Sequence, residues 1–119
     1  MDKLILIFVI FCFSYPKKSQ KELNKKRKII DSLLKTGEPC NIIRANFVIS
    51  KTRDSLYIDT LFNDITNPQI CHQLKFKGIT VYQSKVIALK KIANIDSQIN
   101  INYETDTLII NYLKKVFKK

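Results

Sequence analysis

The stretch Asn41-Ile42-Ile43-Arg44-Ala45-Asn46-Phe47-Val48-Ile49-Ser50 decides the fold class. Ile43, Ala45, Phe47 and Ile49 alternate with Arg44, Asn46 and Ser50, and alternation with period two marks a strand with one buried face. A strand over 41–50 is the expectation. Past the turn formers Lys51-Thr52-Arg53-Asp54 the alternation resumes at Leu56, Ile58, Thr60 and Phe62, so the two runs are expected to pair as a hairpin. Asn63-Asp64-Ile65-Thr66-Asn67-Pro68 then reads as a loop.

Farther along, Leu74 and Phe76 are followed by Ile79 and Val81, with a parity change across Gly78. A β-bulge at Gly78 would return all four side chains to one face, and a tight turn is the alternative. Within 84–94, Val86, Leu89, Lys90 and Ala93 have helical spacing, while Val86-Ile87-Ala88-Leu89 serves equally as a buried strand; the reading inclines to strand. Ile99, Ile101 and Tyr103 alternate with Asn100 and Asn102, Glu104-Thr105-Asp106-Thr107 turns, and Leu108, Ile110 and Tyr112 alternate again. That is the clearest hairpin pattern in the chain.

Toward the N-terminus the period changes. Ser19-Gln20-Lys21-Glu22 has the form of a capping box, Leu23, Ile30, Leu33 and Leu34 follow at helical spacing, Asp31 and Lys35 form an i,i+4 pair, and Gly37-Glu38-Pro39 is a stop signal. A helix is expected over 20–36. The fold class expected is α+β: one N-terminal helix packed on a curved antiparallel sheet of about five or six strands, in a single domain. The 119-residue length and the 45% hydrophobic, 26% charged composition fit one globular unit.

Before the helix, Leu4 through Phe13 are ten consecutive apolar residues. This is half of what a membrane-crossing helix needs, about 20 residues, and matches the apolar core of a secretory signal. Cys12 and Ser14 would be the small residues before a cleavage site, giving a cleavable signal peptide over 1–14. Lipidation at Cys12 ranks below simple cleavage, because Phe11 is bulky where such processing prefers a small residue. A mature chain keeps Cys40 and Cys71, and two cysteines in an exported protein suggest one disulfide. It would close a loop of about 32 residues and contribute roughly 3.5 kcal/mol by the chain-entropy expression.

Catalytic candidates are few. His72, the one histidine, adjoins Cys71, and neighbours on a strand point to opposite faces, so a Cys-His nucleophile pair is not expected. The scattered cysteines and single histidine lack metal-site spacing, and two glycines cannot make a phosphate loop. Neither a metal nor a cofactor is expected. Asp54, Asp59, Asp64, Glu104 and Asp106 lie in or near turns, where such residues are common for turn chemistry alone. A small hydrolase built on an unidentified carboxylate pair is the least favoured function.

Charge is the most informative feature. Lys17 to Lys28 holds seven basic residues and one acidic, Lys114 to Lys119 holds four basic and none acidic, and residues 29–113 hold nine basic and eight acidic. The formal net charge of +11 is therefore concentrated at the two ends. Lys25-Lys26-Arg27-Lys28 also cover every side of one helical turn, so that turn is solvated or held against something anionic. The organisation expected is a signal at 1–14, a basic arm and first half of the helix at 15–28, an α+β body at 29–113 and a basic tail at 114–119. The function expected is a secreted or periplasmic, non-enzymatic binding protein. Lys17, Lys18, Lys21, Lys25, Lys26, Arg27, Lys28, Lys114, Lys115, Lys118 and Lys119 would engage a membrane surface, an envelope polysaccharide or an acidic protein. Solubilisation by the same ends is the bland alternative, nucleic acid is the weaker partner for an exported chain, and an inhibitor or immunity-type protein is the second reading.

Overall fold

In a computed structural model, residues 17–73, 76, 78–95, 101, 102 and 104–119 are described, with side chains from residue 20 onward. The expected signal peptide at 1–14 and the possible lipid site Cys12 lie outside them. Five α-helices are present among these residues: α1 Lys17–Lys35, α2 Pro39–Thr52, α3 Ile58–Phe62, α4 Val81–Ile92 and α5 Thr107–Val116, with a 3-10 turn at Ser55–Tyr57 before α3. No strand occurs among them, and the expected α+β fold with an antiparallel sheet is overturned. The β-type pairing described is a single antiparallel bridge between Ile70 and Thr80.

The N-terminal helix is present and begins at Lys17, so Ser19 lies inside it rather than at its cap. Its end follows the stop signal: Gly37 has φ +69°, and its N–H donates to the Leu34 carbonyl at 3.2 Å. A left-handed residue after the last turn satisfies a carbonyl the helix leaves open, and glycine takes that conformation without a Cβ clash.

The expected strand at 41–50 is α2, started by Pro39 in its first turn, where a missing N–H is harmless. α2 packs between α1 and α4, and Ile43, Ala45, Asn46, Ile49 and Ser50 are buried on it. Cys40, Ile42, Phe47 and Val48 are partly buried besides. A helix covered on so many sides carries no clean apolar stripe. Two of its buried positions are also polar: Asn46 donates to the Ser84 hydroxyl at 2.9 Å, and Ser84 donates to the Val81 carbonyl at 2.8 Å. Those inner polar residues created the period of two.

The expected second strand at 56–62 is the 3-10 turn followed by α3. Its inward residues are Tyr57 and Leu61, with Ile58 and Phe62 partly covered, so the real spacing is four, while Leu56 and Thr60 are exposed. At Gly78 the alternative, a turn, holds rather than the bulge, with φ +79° at Gly78 and the Ile79 N–H on the Phe76 carbonyl at 3.1 Å; Leu74 lies outside the described residues. Segment 84–94 is helical through Ile92. Thr80 starts α4 with a complete capping box, its hydroxyl accepting from the Gln83 N–H while the Gln83 side chain accepts from the Thr80 N–H. The second expected hairpin also fails: Leu108–Tyr112 belongs to α5, whose start is capped by the Asp106 side chain on the Leu108 N–H at 2.9 Å. Ile99, Asn100 and Tyr103 lie outside the described residues.

One apolar cluster joins all the helices through Ile30, Ala45, Ile49, Leu61, Tyr82, Val86, Leu89, Ile110 and Leu113, among others. A smaller one, Ile43, Cys71, Phe76 and Val81, lies under the loop between α3 and α4. The expected disulfide is there: Cys40 in the first turn of α2 is bonded to Cys71, with their Cα atoms 4.8 Å apart.

Candidate functional site

The expected binding residues are carried by α1 and by the end of α5. Lys17 and Lys18 are helical, but their side chains lie outside the described set. Lys21, Lys25, Lys26 and Lys28 are exposed, as the all-basic turn required. Arg27 departs from them. It turns inward, donating from Nε to Asp54 Oδ2 at 2.7 Å and from its Nη2 to Asp54 Oδ1 at 3.0 Å. The planar guanidinium fork suits a carboxylate in this two-point way.

Asp54 is 5% exposed and caps the 3-10 turn by accepting the Leu56 N–H at 3.1 Å. The Arg27 hydrogen bonds hold its carboxyl below the usual range, burial pulls it upward, and the Leu56 N–H adds to the lowering. Beside them the Tyr57 hydroxyl donates to Asp31 Oδ1 at 3.0 Å, anchoring the same turn to α1. Burial first, and that bond second, push the phenol up to about 12.

At the other end, Lys114 and Lys115 lie in the last turn of α5, followed by Lys118 and Lys119, and all four are exposed. Lys119 forms an ion pair with Asp59 on α3. Phe117 packs edge-on against Phe62 of the same short helix, centroids 5.9 Å apart. The segment 54–62 thus receives one basic residue from each of the two basic clusters, with the Tyr57–Asp31 hydrogen bond beside the first and the Phe62–Phe117 contact beside the second. Asp54 and Asp59 are five residues apart in helical backbone, a separation of about 8–10 Å.

Known protein families, curated proteins and solved structures offer no match to this chain.

Elsewhere, His72 is exposed next to the disulfide. Among the described residues no group of three or more His, Cys, Asp or Glu is placed to hold a metal ion, and no helix is long and apolar enough to cross a membrane. Lys85 on α4 is buried and gives its ammonium to the carbonyls of Asn63 and Asp64 just past α3. There it satisfies open carbonyls at the negative end of the helix dipole, and burial pushes its pKa down against the pull of Asp64. A groove of about 450 Å³ beside α2 is lined by Leu33, Phe47, Val48, Phe76 and Ile79 together with Arg44 and Lys51.

Sequence reasoning missed Arg27–Asp54, since nothing local shows which carboxylate an arginine will reach 27 residues away. It also missed that Leu108, Tyr112 and Val116 stay exposed on α5. Their spacing of four was visible and would have named a helical row.

Proposed function

We propose that the protein is an exported, non-enzymatic binding protein whose two basic ends together hold it against an anionic surface. The observation that supports this reading is the meeting of both ends at segment 54–62, where Arg27–Asp54 and Lys119–Asp59 are about 8–10 Å apart along the chain. Lys21, Lys25, Lys26 and Lys28 on α1, and Lys114, Lys115 and Lys118 at the end of α5, are exposed and stay available to an anionic partner. Each lysine near an anionic membrane contributes about 1 kcal/mol, so two joined clusters adsorb where either alone is marginal. Export rests on the apolar run 4–13 and on the Cys40–Cys71 bond, which belongs to an oxidising compartment.

The test is co-sedimentation of the mature chain with phosphatidylglycerol and with phosphatidylcholine vesicles over a range of salt. Binding is expected only to the anionic vesicles, falling steeply as salt screens the charges. Replacing Lys21, Lys25, Lys26 and Lys28 by Gln, or Lys114, Lys115 and Lys118 by Gln, should each weaken it, and the combined variant should not bind. Equal affinity for neutral vesicles, or none for anionic vesicles at low salt, removes the reading.

A further inference from the structure

α5 exposes more apolar surface than its position in the core explains. Leu108 is 78% exposed, Tyr112 49% and Val116 42%. At spacing i, i+4 and i+8 they form one row along the helix. The helix cannot turn to hide that row, because Ile109, Ile110 and Leu113 are already buried on the adjoining face and Phe117 is packed on Phe62. Lys115 borders the row on one side, three positions after Tyr112 and seven after Leu108, and Lys114 and Lys118 are exposed at the C-terminal end of the helix, whose start is capped by Asp106.

We propose that α5 is the part of the protein that enters an anionic lipid bilayer, lying in the plane of the interface with Leu108, Tyr112 and Val116 among the upper acyl chains. This deepens the anionic-surface reading and rests on it. Aliphatic side chains and a tyrosine on one strip, with lysines able to reach headgroup phosphates beside it, are the chemistry of an interfacial helix. Ten residues give a length of about 15 Å, far short of a bilayer core of about 30 Å, so the helix lies flat. A second copy of the chain is the poorer occupant, since it carries the same formal net charge of +11, and like net charges repel. An anionic lipid surface supplies both the opposite charge for the lysines and an apolar phase for the row.

The chain contains no tryptophan, so Tyr112→Trp in the mature chain is a single emission reporter. With phosphatidylglycerol vesicles, its emission is expected to shift to the blue and to be quenched by lipids brominated near the top of the acyl chain. Leu108→Ser combined with Val116→Ser should lower partitioning by about ten-fold or more, given the apolar area each side chain would bury. Ile70→Ser, which removes an exposed apolar residue outside α5, should leave it unchanged. Both serine variants alter exposed positions, and melting curves check that they remain folded. Salt-sensitive binding without a blue shift, or with the double serine variant binding as tightly as its parent, overturns insertion and leaves surface adsorption standing. No binding to anionic vesicles at low salt overturns both. A blue shift that grows with protein concentration in the absence of lipid assigns the row to self-association and overturns the proposal.

Discussion

Asp54 accepts three hydrogen bonds on two oxygens, two from Arg27 and one from the Leu56 N–H, and so fixes α1 to the start of the 3-10 turn. Because these bonds hold its carboxyl below the usual range, the stabilisation is complete above the ordinary carboxylate pKa. It is lost as pH falls through the lowered value. Asp54→Ala is expected to lower stability by about 2 kcal/mol near neutral pH, from the lost cap and the lost charged hydrogen bonds. Urea unfolding at neutral and strongly acidic pH checks this: the gap between parent and variant should close in acid, and a constant gap would assign the loss to something other than the carboxylate charge. Turn chemistry was legible at Asp54, since aspartate serves a turn and a helix cap by the same side-chain acceptor. Its partner was not, because the choice among several carboxylates for Arg27 is made by the packing of α1.

α2 is where a local pattern and the three-dimensional solution diverge. Alternation at Ile43, Ala45, Phe47 and Ile49 looks like a strand only if Asn46 and Ser50 face water, yet both are buried. Period analysis assumes that polar means exposed, and a central helix with a polar contact to α4 violates that assumption. The pattern of α5 is hidden for a related reason: Leu108 and Tyr112 are apolar yet exposed, so alternation groups them with the buried Ile110. α1 was readable because one side is solvated and its end has a glycine that the geometry uses. Asn46→Ala tests the reason given for α2. It removes the donor to Ser84 and leaves a small void, and should cost about 1–3 kcal/mol in chemical denaturation while the circular dichroism spectrum stays helical. A neutral result would mean that the Asn46–Ser84 contact does not hold α2 to α4.

At the scale of the whole molecule, the two apolar clusters differ in what sustains them. The larger draws on every described helix, whereas the smaller has, among the described residues, four that are buried, one of them Cys71 itself. Reduction should therefore lower the melting temperature, with a loss of about 2–5 kcal/mol, and non-reduced peptide mapping should recover the Cys40–Cys71 pair; two freely alkylated thiols in the folded protein would contradict the structure. The expected basic ends were legible as composition, but their meeting at segment 54–62 depends on a helical topology that alternation concealed. The disulfide has a further consequence, for the order in which the molecule comes apart. Cys40 belongs to α2, which is already fixed in the larger cluster through Ala45 and Ile49, while the return of the loop is held by the N–H groups of Cys71, Val81 and Tyr82 on the Ile79, Gln69 and Asn67 carbonyls. Without the bond, those three amides should exchange with deuterated solvent well before the amides of Ile49 and Leu89. The cross-link acts as a latch on one lobe, so the redox state of its surroundings would set how quickly proteases find an opening there.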